Sequence, residues 1–136
     1  MTKGDMQPAW EKVVEVGFSN YDGLTNDQKV WFNMEPLIID GIIDHYINHG
    51  ADHNADTIKG LELLGFSDLA ALMNKINYLF VNNQPPTDID ERNKQWDSWC
   101  DINEVLLNDI DEKFWSRCND LENALMEHIK RTKIGE

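Results

Sequence analysis

A chain of 136 residues with 12 basic and 25 acidic side chains carries a formal charge of −13. That field repels nucleic acid, phosphorylated ligands and anionic membranes, and favours basic proteins or cations as partners. A composition that is 41% hydrophobic and 10% aromatic excludes a disordered acidic tail, and the length suits one compact domain burying roughly 68% of its unfolded surface.

The chain has neither the apolar core of a signal peptide nor an apolar run of ~18 residues, so the expectation is a soluble, cytoplasmic protein without membrane contact. Cys100 and Cys118 have no metal or redox spacing and read as two buried, reduced thiols.

Pro8 suits a first helical residue, and Trp10, Val13, Val14, Gly17 and Phe18 follow at helical spacing, predicting a helix from Pro8 to Phe18. Asn20 to Gly23 is a turn. Thr25 and Gln28 then form a capping box, opening a helix with Val30, Trp31, Met34, Leu37, Ile38, Ile42, Tyr46 and Ile47 on one stripe. Pro36 and Gly41 predict a kink or break near Glu35, and Gly50 a left-handed cap at its end. Ala55 to Leu64 reads as a short helix stopped by Gly65, and Ser67 as the cap of the next. Pro85 and Pro86 forbid helix, and Asp88 or Asp90 caps the stretch that follows.

That stretch, Asp88 to Phe114, is predicted as one helix, apolar on one side and anionic on the other. Its apolar positions include Ile89, Trp96, Trp99, Ile102, Val105, Leu107 and Ile110. A final helix after Trp115 carries Leu121, Leu125 and Ile129 and ends in Lys130, Arg131 and Lys133, matched to its negative end. The sequence therefore predicts an all-α single domain of six or seven helices with no sheet, its core running from about residue 8 to 131.

The charge is not spread evenly. Residues 35–68 hold seven acids and one base, residues 88–112 nine acids and two bases, and the remainder is neutral. Asp40 and Asp44 are four apart, as are Asp97 and Asp101, with Glu104 three later. On a straight helix such pairs are neighbours and repel by a few tenths of a kcal/mol. Carboxylates at intervals of several ångströms imitate a phosphate backbone, to which a basic DNA-binding protein responds by releasing counterions. Asp40, Asp44, Asp90, Asp97, Asp101, Glu104 and Asp109 are the expected phosphate surrogates.

Several runs resemble a bacterial all-α family of DNA-mimic proteins. They are Leu24-Thr25-Asn26-Asp27-Gln28-Lys29, Ile39-Asp40-Gly41-Ile42-Ile43-Asp44-His45-Tyr46, Ala55 through Leu64-Gly65, and Leu107-Asn108-Asp109-Ile110-Asp111-Glu112-Lys113-Phe114-Trp115. Leu121, Leu125 and Ile129 match the family's last helix, so the resemblance spans about residues 20 to 131. The chain has Gly41-Ile42-Ile43 and His45-Tyr46 where the family usually has paired glycine, an aromatic and glutamine-aromatic. The resemblance implies an all-α fold and a protein occupying the DNA-binding face of a transcription factor, with a homodimer among the expected assemblies. It implies no catalytic residue.

Two other readings stay open. An immunity or antitoxin protein could neutralise a basic nuclease toxin by the same electrostatics. Alternatively His45, His49 and His53, spaced by four and flanked by Asp44, Asp52 and Asp56, could hold a metal on one helix face, His45 and His49 above all. No phosphate-cradling loop, nucleophile elbow or Cys–His pair is present. The expectation is therefore a non-enzymatic protein without a cofactor and without direct nucleic-acid binding.

Overall fold

The computed structural model describes residues 2–136 and, among them, contains six α-helices, three short 3-10 turns and no strand. The helices are α1 (Lys3–Ser19), α2 (Asn26–Ile47), α3 (Asn54–Leu63), α4 (Ser67–Asn77), α5 (Ile89–Trp99) and α6 (Glu104–Thr132). No helix of the described residues is long and apolar enough to cross a membrane.

Thr2, not Pro8, starts α1. Its hydroxyl accepts from the Asp5 amide while the Asp5 carboxylate accepts from the Thr2 amide. This reciprocal cap sets the boundary, and Pro8 lies inside the helix. Its missing N–H leaves only the Gly4 carbonyl without its helical donor, at an exposed position open to solvent.

The predicted Thr25–Gln28 capping box is present at the start of α2. The helix continues through Pro36 and breaks instead at Gly41, whose φ of 93° and ψ of 174° only glycine adopts readily. A Cβ there would lie 2.6 Å from Trp115 Cζ2. The break thus lets α6 cross close over α2, and just before it the Cys118 thiol donates to the Ile38 carbonyl. Gly50 is not a left-handed cap. It lies in the 3-10 turn His49–His53, where a Cβ would meet His45 Nδ1 at 2.8 Å, so close approach rather than positive φ requires glycine.

Gly65 ends α3 as expected, with φ +91°. Its amide donates to the Glu62 carbonyl and the Phe66 amide to that of Leu61, the paired bonds of a Schellman motif. Ser67 does not cap α4. Phe66 holds the cap position without a side-chain bond, and Ser67 is the first helical residue, because the Schellman closure has already set the chain's direction.

Residues 88–114 do not form one helix. Asp88 caps α5, accepting from the Asp90 and Glu91 amides, but α5 ends at Trp99 and α6 starts at Glu104. No glycine or proline marks the break. Asn103 makes it, donating from both its amide side chain and its backbone N–H to the Trp99 carbonyl, then serving as the cap position of α6. Asparagine competes with helix continuation in this way. The predicted final helix is therefore the second half of α6, whose buried face runs Leu107, Ile110, Phe114, Cys118, Leu121, Leu125 and Ile129. Ile102 and Val105, predicted inward, are 84% and 85% exposed because the break takes them off that face.

The core is one cluster organised on α2, which packs against α1, α3, α5 and α6. Both cysteines are free; Cys118 is buried and Cys100 half-buried. A buried polar chain crosses the core. Tyr46 Oη lies 2.9 Å from the Met73 carbonyl and 2.6 Å from Asn77 Oδ1, Asn77 Nδ2 donates to Asn54 Oδ1, and Asn54 Nδ2 donates to His45 Nε2. This chain joins the end of α2 to α3 and α4, and each partner satisfies a group whose burial would otherwise cost about 1–3 kcal/mol.

His45 must be neutral to accept from Asn54. Burial, then the nearby Arg92 charge, lowers its pKa to about 3. The unfolded histidine titrates near the ordinary ~6.5. The contribution of His45 is therefore complete above that value and is lost as pH falls toward 3. The expected slope approaches ~1.4 kcal/mol per pH unit across that window. Urea unfolding of the wild type and of His45→Gln at several pH values measures it as the difference between their slopes. Identical pH dependence in the two proteins would contradict it.

Candidate protein-interaction surface

The exposed stripe of α5 carries Asp90, Lys94, Asp97 and Ser98, and its buried stripe carries Arg92 and Trp96. Asp101 follows in the turn, Glu104 opens α6, and Asp109 lies one turn further on. Among the described residues, Asp90, Asp97, Asp101 and Glu104 have no ion-pair partner, whereas Asp109 pairs with Lys113 at 2.9 Å. Asp90 and Asp97 lie about 10 Å apart along α5 at 1.5 Å per residue, and Asp101 and Glu104, beyond its end, flank exposed Ile102 and Val105. The half-buried Cys100 thiol responds to this field. Desolvation, then the Asp101 and Asp97 charges, raises its pKa and keeps it protonated.

Arg92 changes the electrostatics of this surface. In the sequence it is one of two bases offsetting the acids of residues 88–112, but its side chain is fully buried. Nε donates to the Tyr46 carbonyl at 2.7 Å and Nη1 to the Pro86 carbonyl at 2.8 Å; Nη2 donates to the Asn48 carbonyl and to Asp52 Oδ1, the latter at 3.1 Å. Its charge is thus directed inward to the other acidic segment, leaving Lys94 as the one base facing solvent on α5. A sequence cue existed: Ile89, Arg92, Trp96 and Trp99 share one helical phase, which places Arg92 in the apolar stripe.

Asp40 and Asp44 form a separate group. Gly41 breaks the helix between them, so straight-helix spacing does not apply, yet both line one cleft beside the end of α1. Asp44 accepts from Asn48 Nδ2, and neither Asp40 nor Asp44 pairs with a base among the described residues. The seven predicted carboxylates therefore fall in two patches. Arg92 links the segments that carry them by holding the first turn of α5 against residues 46–52.

The histidines do not converge on a metal site. His45 Nε2 is occupied by Asn54 inside the core; His49 is exposed, with Nδ1 3.1 Å from Asp52; His53 stacks on Tyr21 with ring centroids 3.5 Å apart. The end of α2 at Ile47 puts each ring in a different environment. No group of three or more His, Cys, Asp or Glu side chains among the described residues could hold a metal ion.

A family model described as DMP19-like protein matches residues 22–132, most of the chain. The chain belongs to the DMP19-like family. This is a family of DNA-mimic proteins, in general non-catalytic. No curated protein and no solved structure matches the chain. The DMP19-like match covers α2 through α6 and hence both acidic segments, while α1 lies outside it.

Proposed function

We propose that this DMP19-like protein occupies the DNA-binding surface of a basic protein, a transcription factor being the expected class, and so blocks its access to DNA. The observation that carries this reading is the row of unpaired carboxylates, Asp90, Asp97, Asp101 and Glu104, on a member of a DNA-mimic family. Asp109 on α6, and Asp40 and Asp44 in their separate cleft, add further carboxylates. A partner whose lysines and arginines already bind phosphates meets similar charges here, while Ile102 and Val105 offer apolar contacts that a phosphate backbone lacks. Such contacts distinguish a protein partner from a loose counterion cloud.

The test is capture of the partner, followed by binding measured at several salt concentrations with duplex DNA as competitor. Affinity is expected to fall by about tenfold or more between ~50 and ~200 mM salt, since screening weakens every attraction between a carboxylate and a basic side chain. The double reversal Asp97→Lys/Asp101→Lys is expected to weaken binding at least ~100-fold, because it replaces two attractions by two repulsions. Both side chains are exposed and unpaired, so the fold should be retained. Salt-insensitive binding that DNA cannot displace would falsify this reading.

A further inference from the structure

Between the end of α1, the middle of α2 and the 49–53 turn lies a cleft of about 470 Å³. Its walls include Phe18, Phe32 and Pro36. Phe18 is 75% exposed, and its ring meets Phe32 edge-on at 5.4 Å. Such a ring offers an apolar stacking surface with a negative face. Asp40 and Asp44 line the same cleft without basic partners, whereas Asp52, also lining it, is already bound to Arg92 and His49.

Asn33 supplies an independent pointer. It lines the cleft although it is more than nine-tenths buried. Tyr21 Oη lies 2.7 Å from Asp56 Oδ2 and 2.9 Å from Asn33 Nδ2. The single hydroxyl proton is needed by the carboxylate, so the oxygen must accept from Asn33 Nδ2. That fixes the amide's orientation, and Asn33 Oδ1, which is not sealed from solvent, takes no hydrogen bond from the described residues.

We infer that this cleft receives the guanidinium group of an arginine side chain on the protein partner. The inference rests on the reading that the partner is basic. Two carboxylates, a free amide oxygen and an aromatic face match a flat, weakly hydrated cation that carries five donors and stacks on rings. A lysine ammonium, compact and strongly hydrated, loses more on entering an apolar-walled cleft. A divalent cation is disfavoured, since no group of three or more His, Cys, Asp or Glu side chains among the described residues could hold one. Phe18 and Gly17 lie on α1, outside the family-matched residues, so this site adds to the DNA-like face instead of restating it.

The test titrates the ¹⁵N-labelled full chain with N-acetyl-arginine methylamide and follows the amide resonances. Saturable shifts are expected at Gly17, Phe18, Asp40, Asp44 and Gly50, with the lysine analogue several-fold weaker. Asp44→Asn keeps the oxygen that accepts from Asn48 and is expected to weaken binding roughly tenfold. Phe18→Ala, at an exposed position, is expected to weaken it by about threefold, and Glu112→Gln, at an exposed position on α6, to leave it unchanged. Unsaturable shifts, shifts spread along α5 and α6, equal binding of the lysine analogue, or indifference to Asp44→Asn each overturns the inference. DNA competition for the partner is scored separately. Competition without arginine binding removes only the cleft, and arginine binding without competition removes only the DNA-mimic reading.

Discussion

Replacing Arg92 by methionine is expected to destabilise the protein by ~3–5 kcal/mol, the range for breaking a buried charged pair from one side. The guanidinium holds the Tyr46, Asn48, Pro86 and Thr87 carbonyls and the Asp52 carboxylate at one buried point. Methionine fills much of the volume but leaves those acceptors without donors in a place where water is excluded. Lysine keeps the charge yet has neither the planar fork nor enough donors, so Arg92→Lys is expected to recover less than half of the loss. Urea unfolding with an unchanged m-value measures both, and a thermal midpoint lower by roughly 10 °C or more should accompany the methionine change. A methionine variant within ~1 kcal/mol of wild type would mean that the carbonyls regain water. Because Arg92 anchors α5 to the end of α2, the same variant should also weaken partner binding through displaced carboxylates.

Gly41→Ala is expected to cost about 3 kcal/mol, combining a backbone conformation close to glycine-only with overpacking. The Cβ would lie 2.6 Å from Trp115 Cζ2, so either the indole or the α2–α6 crossing must move. Gly65→Ala is the matched control. Its φ of +91° is similar, but a Cβ there meets nothing within 4 Å, so about 1 kcal/mol from backbone strain alone is expected. The double variant Gly41→Ala/Trp115→Ala should recover the steric share and not the backbone share. Equal losses at Gly41 and Gly65 would show that Trp115 yields without cost.

The features that local sequence patterns misplace share a cause. Helix α2 runs past Pro36, where the expected break lay, because the exposed side of a helix tolerates one missing bond while the crossing of α6 demands a break at Gly41. The acidic stretch after Asp88 divides because the Asn103 side chain takes the Trp99 carbonyl, and asparagine gives no local sign as strong as proline. The candidate carboxylates were legible individually, since each was a charged residue off an apolar stripe. Their grouping was not, because it depends on the Gly41 break and on the corner between α5 and α6.

Local patterns in the chain account for the all-α class, the Thr25 cap, the Gly65 stop, the apolar stripes, the two acidic segments and the family that the chain resembles. These follow from hydrogen bonds and side-chain spacing within a few turns of one helix. Packing between distant segments selects which charges remain outside. His45, a candidate ligand, and Arg92, one of the two bases counted against the acids, both lie in the core: Arg92 holds carbonyls of residues 46, 48 and 86, and burial beside Arg92 keeps His45 neutral. The physical reason is that a buried polar group must find its partners wherever the fold supplies them. For Arg92 and His45 those partners lie up to 46 residues away in the chain, beyond the reach of any local pattern.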